Sequence, residues 1–159
     1  MNRGRQMKKN PMLSWEDFSV GRAWSHGFHT VTEAEIIAFA KQHDPLAMHL
    51  GPELACDTPL GIFCASGIHT LAIAQRSLCD ALLKYTHVVA GSGIDKVRMR
   101  APVVPEDKLQ VRIQVAHTWL HPQNPAYGWI TLLVEVLRDS DFIVMDYQLT
   151  ILVLRAKLL

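Results

Sequence analysis

No apolar run in this sequence approaches the roughly 20 residues that a membrane-crossing helix requires, and no secretory leader is visible at its start. A soluble, cytoplasmic protein with no membrane partner is therefore expected. Cysteine is scarce. Cys56, Cys64 and Cys79 are odd in number and lack C-x-x-C spacing, which argues against a disulfide framework and predicts reduced, mostly buried thiols. An excess of either charge is also missing: 16 Lys and Arg stand against 15 Asp and Glu, so a nucleic-acid partner is not expected. The eight histidines come with no cysteine pairing of metal-site spacing, so neither a metal nor another cofactor is expected. No G-x-S-x-G is present and no cysteine sits in an activated context, which leaves nothing to suggest covalent catalysis.

What remains is a chain of 159 residues, 49% hydrophobic and 19% charged, enough for one domain with a full core. The domain is expected over residues 12–159. Residues 1–11 hold Arg3, Arg5, Lys8 and Lys9 with no acid, and read as a flexible basic tail.

The organising stretch is Asp44-Pro45-Leu46-Ala47-Met48-His49, a carboxylate and an imidazole with four residues between them, stiffened by proline. A helix should lead into it. Thr32 and Glu35 form a T-x-x-E capping box, Val31 can staple onto Ile36, and the apolar spacing runs on through Ala40. Proline disfavours the α conformation in the residue before it, so this helix should stop near His43. Asp44 then lies just past a helix C-terminus, where the dipole does not favour a carboxylate. Taken alone, Asp-Pro is more often a turn opener than a site.

Pro52 to about Asp57 predicts a short helix, with proline at its first position. Residues 60–67 approach the longest helical signal in the chain, expected to end around Tyr85 to His87. Its apolar stripe reads as Ile68, Leu71, Ala72, Leu78, Cys79 and Leu82, with Thr70, Ser77, Asp80 and Lys84 opposite. Gln75 falls within the stripe, either as a satisfied buried amide or as a pocket-lining group. Residues 23–28, 91–100, 109–115, 129–137 and 142–154 read as strands. Strands that follow the helices rather than alternate with them argue α+β.

Four stretches resemble the MaoC-like dehydratases, the hot-dog-fold family that includes the (R)-specific enoyl-CoA hydratases. They are residues 15–21, residues 29–40 leading into Asp44-Pro45, residues 65–70 with Ser66-Gly67, and residues 102–109. The resemblance implies a hot-dog fold, an antiparallel sheet wrapped around one long central helix. It also implies that Asp44 and His49 are catalytic, and that the backbone N–H of Gly67 polarises the substrate carbonyl. Ser66, Leu46, Met48 and Gln75 are the expected substrate-binding residues. Leu46 and Met48 depart from the family, which often has a polar residue after the proline and an aromatic before the histidine.

The implied chemistry is hydration of a 2-enoyl thioester or dehydration of a 3-hydroxyacyl thioester, carried on CoA or an acyl-carrier protein. A carboxylate and an imidazole that share one water supply the base and the proton source. A backbone N–H at a helix N-terminus suits the enolate oxygen, and glycine permits close approach. Two other readings stay open: a hot-dog thioesterase, and a silent acyl-thioester binder. A single sheet on one helix would leave hydrophobic strand edges bare, with residues 129–137 and 149–154 the expected hazards, so a homodimer is expected.

Overall fold

The computed structural model describes residues 12–139 and 141–156; the basic segment 1–11 lies outside them. The helix expected before Asp44 is α1 (Glu33–His43), entered from strand β1 (Ala23–Thr30). Thr32 caps it, its hydroxyl oxygen accepting the Glu35 N–H at 3.2 Å. The reciprocal half of the capping box is replaced, because the Glu35 carboxylate accepts from the Thr32 hydroxyl and from His29 instead. Val31 and Ile36 are both buried in the core at the entry to this helix. Asp44 closes α1, its N–H donating to the Ala40 carbonyl at 2.9 Å.

After a short α2 (Pro52–Cys56) comes the long helix α3 (Gly67–Ala81). It stops earlier than periodicity predicts. Leu82 leaves helical geometry at φ −142° and ψ −56°, and Leu83–Tyr85 continue as a single tighter turn. Strands β2 (Val88–Met99), β3 (Lys108–Leu120), β4 (Tyr127–Arg138) and β5 (Phe142–Leu154) complete the chain. With β1 they form one antiparallel sheet in the order β1-β3-β4-β5-β2, with α3 packed in the core against it. This is the α+β hot-dog arrangement.

Two expectations are corrected. The buried face of α3 carries His69, Thr70, Ile73, Ala74, Ser77 and Leu78, whereas Ile68 is 54% exposed and Ala72 is exposed. Small side chains, not the largest apolar ones, face the sheet over much of the helix, and Thr70 satisfies its hydroxyl on the Ser66 carbonyl. The edge strands also differ from those expected. β4 and β5 lie inside the sheet, so residues 129–137 and 149–154 are paired on both sides. The bare edges belong to β1 and β2, and β2 exposes Ile94, Val97 and Met99. Among the described residues no helix is long and apolar enough to cross a membrane.

Candidate active site

The Asp-Pro break turns the chain back towards the start of α3. Pro45 ends the helix, and Ala47–His49 form one tight turn in which the His49 N–H donates to the Leu46 carbonyl at 2.9 Å. That turn is strapped to the segment before α3 in two ways. The Cys64 N–H donates to the Met48 carbonyl at 3.1 Å, and His49 Nδ1 lies 2.7 Å from the Cys64 carbonyl oxygen. One residue on, the Ala65 N–H donates to the Val103 carbonyl at 2.7 Å, which pins the entry to α3 against the turn before β3.

Ser66 makes the decisive link. As the N-cap of α3, its hydroxyl oxygen accepts the Ile68 N–H at 3.1 Å. The same hydroxyl donates to Asp44 Oδ2 at 2.6 Å. Asp44 Oδ2 in turn lies 3.7 Å from His49 Nε2, with the imidazole nearly buried and the carboxylate 28% exposed. A carbonyl oxygen only accepts, so Nδ1 of His49, facing Cys64, carries a proton, and in the neutral imidazole Nε2 is the acceptor. Two acceptors therefore face each other across 3.7 Å. A water that donates one hydrogen to each would sit between them with a lone pair free.

Gly67 opens the helix beside this pair. Among the described residues no hydrogen-bond acceptor engages its N–H, which lies at the positive pole of α3. Gly67, His49 and Met48 line one cavity of about 330 Å³, walled further by Met99, Val103 and Met145. Cys64 also lines it, with Sγ 3.9 Å from His49 Nδ1. Burial pushes the Cys64 thiol up from its ordinary range, and the Nδ1 proton already belongs to the carbonyl, so this cysteine stays a thiol.

Of the residues singled out from sequence, Asp44, His49, Ser66, Gly67 and Met48 come together here. Leu46 and Gln75 do not line the cavity. Leu46 is 53% exposed and enters through its backbone, its N–H donating to the Asp44 carbonyl and its own carbonyl accepting from His49, while Gln75 sits two turns along α3 with its amide towards Cys79. Met99 and Met145 escaped sequence reasoning because they arrive from β2 and β5, and nothing local marks them.

The fold and the motif agree with a family model. Residues 20–124 match the MaoC like domain, about two thirds of the chain. The chain belongs to the MaoC-like domain family. A MaoC-like dehydratase from Rhodospirillum rubrum is similar at 30% identity and a TM-score of 0.84, covering 90% of this chain and 97% of its own. The R-hydratase PhaJ1 from Pseudomonas aeruginosa shares the fold at 19% identity and a TM-score of 0.68, covering 89% of this chain and 86% of its own. The uncharacterized protein YdeM of Bacillus subtilis is 26% identical over 143 residues, which is 90% of this chain and 100% of that protein. Family and fold together support hydratase or dehydratase chemistry as the reaction class.

A larger cavity, of about 550 Å³, lies between β1, α1 and α3 and shares no lining residue with the first. His26, His29, Glu35 and His69 line it. A register shift in β1 between His26 and His29 lets both histidines of that strand face it. Glu35 Oε1 is 2.7 Å from His29 Nε2 and 3.8 Å from His69 Nε2. His69 stacks on Phe39 at 4.6 Å, and burial holds its imidazole below the ordinary value, outweighing the Glu35 carboxylate. Among the described residues, no three His, Cys, Asp or Glu side chains converge in metal-binding geometry.

Proposed function

We propose that this MaoC-like protein hydrates a 2-enoyl thioester, or dehydrates the matching 3-hydroxyacyl thioester, in the cavity beside Gly67. The observation that carries the reading is the pair of facing acceptors, Asp44 Oδ2 and His49 Nε2, held 3.7 Å apart. Each has its own anchor, Ser66 for the carboxylate and the Cys64 carbonyl for the imidazole, so neither must reorganise to receive a water. In the forward direction the water oxygen bonds to C3 while the pair takes one of its protons. Negative charge moves onto the thioester oxygen, where the Gly67 N–H meets it. The proton then passes to C2 and the site returns to its starting state. The rest of the substrate is a CoA or acyl-carrier-protein thioester, with its acyl group against Met48, Val103 and Met145.

Crotonyl-CoA tests this directly. The expected outcome is loss of enoyl absorbance without release of free thiol. Thiol release at the same rate would indicate a thioesterase, and neither signal would indicate a silent binder.

The same reading includes a homodimer. β2 is a sheet edge with most of its positions exposed, and apolar side chains stand out on it, an open template for a second copy. Light scattering should give twice the chain mass at micromolar concentration; a monomer mass would overturn the dimer.

A further inference from the structure

The space over Gly67 is already occupied. A Cβ built on Gly67 would lie 2.2 Å from Met99 Sδ and 2.3 Å from its Cε, so the thioether rests directly on the bare Cα. Met99 is the last residue of β2, and it lines the Asp44–His49 cavity together with Gly67, Val144 and Met145. It is 58% exposed, and its side chain is unbranched with several rotatable bonds, so little in the fold clamps its end. A thioester whose oxygen is brought to the Gly67 N–H therefore has that thioether as a neighbour on the same residue.

On the thioester reading above, we propose that Met99 selects the acyl group, as a movable gate that admits unbranched chains and resists a substituent at C2. The reason lies in the bonding of the substrate. With the carbonyl oxygen anchored at Gly67, C2 is the next atom of the chain, so a group on C2 widens the acyl portion closest to Met99. Met48, Val103, Val144 and Met145 belong to the rest of the cavity wall. One methyl group in an apolar pocket changes kcat/KM by about 10–200-fold. The gate therefore has enough leverage to set the substrate class.

The test compares crotonyl-CoA with 2-methylcrotonyl-CoA in turnover, and butyryl-CoA with 2-methylbutyryl-CoA in calorimetric affinity. The saturated pair cannot be hydrated, so it reports on the gate without the chemistry. Wild type should favour the unbranched member of each pair. Met99→Ala should raise the branched-to-unbranched ratio about tenfold or more. Met99→Val also shortens the side chain, suits a strand end, and should shift the ratio the same way; Met99→Leu should keep the wild-type ratio. Ratios within about twofold of wild type in both shortened variants would overturn the gate. An affinity ratio that shifts while wild type hydrates neither enoyl thioester would uphold the gate and overturn the hydratase reading. Turnover of crotonyl-CoA with unmoved ratios would do the reverse.

Discussion

Asp44 and Glu35 stand at opposite ends of α1 and each meets a histidine, yet the two pairs are wired differently. Glu35 accepts from His29 at 2.7 Å and from the Thr32 hydroxyl at 3.2 Å, so both of its oxygens are engaged by protein donors. Asp44 Oδ2 takes one donor, the Ser66 hydroxyl, and faces His49 Nε2 across 3.7 Å, beyond direct hydrogen-bond reach. A saturated carboxylate ties β1 to α1 and holds structure. A carboxylate and an imidazole left as facing acceptors, each anchored from behind, are poised to take a proton from something that enters. Cavity size alone points to the other pair, since the Glu35 side has the larger space.

Mutations can break that comparison or sharpen it. The largest expected effect is that of Asp44→Asn, which should lower kcat on crotonyl-CoA by roughly 10²–10⁴ while the melting temperature stays near wild type. An unfolded Asp44→Asn protein would instead make Asp44 a turn residue, with no functional difference from Glu35. Ser66→Ala comes next, because one hydroxyl both caps α3 and holds Asp44. Loss of the cap should cost about 0.5–2 kcal/mol of stability. Loss of the anchor should lower kcat per folded molecule by up to about 10²-fold. A Ser66→Ala protein with reduced stability and unchanged kcat would show that Asp44 needs no anchor.

The smaller effects lie on the structural side. The His69 imidazole titrates below its ordinary value of 6.5 because it is buried. Below that pH the unfolded chain takes up a proton that the folded protein resists, so falling pH favours unfolding through this group. The melting temperature should therefore drop between about pH 7 and pH 5 more steeply in wild type than in His69→Gln. Equal slopes would remove His69 from the account. The smallest change is expected for Glu35→Gln. Its partly exposed pairing with His29 is worth about 1 kcal/mol or less, and turnover on crotonyl-CoA should stay within about twofold of wild type. A large loss of kcat there would erase the distinction between the two pairs.

How much of this was legible in sequence divides along local and non-local lines. The Thr32 cap, the stop before Pro45, the proline-led α2 and the start of α3 at Gly67 each depend on a few adjacent residues, and all are present. Alternation in residues 109–115 marked β3 for the same reason, since side-chain period follows from backbone geometry. The resemblance added roles for Asp44, His49 and Gly67, which the chain brings to one cavity or its margin. Other features were beyond such reading. Periodicity pointed to the Ile68 and Leu71 side of α3, but the sheet covers the Thr70, Ala74 and Ser77 side, where small side chains face it. Strand order is equally non-local: residues 129–137 and 149–154 were the expected edges, but β2 is an edge because β5 pairs it from one side only.

The sequence by itself therefore determined where α1, α2 and α3 begin, where α1 stops, and that a carboxylate and an imidazole flank one short turn. Those outcomes rest on backbone sterics and hydrogen bonds within a few residues. Only the tertiary structure decided that Ser66 would hold Asp44 from 22 positions away, that Met99 would cover Gly67, and that Glu35 would be saturated by His29. Each depends on chain segments brought together by packing of the sheet on α3, and no pattern of neighbouring residues encodes that meeting.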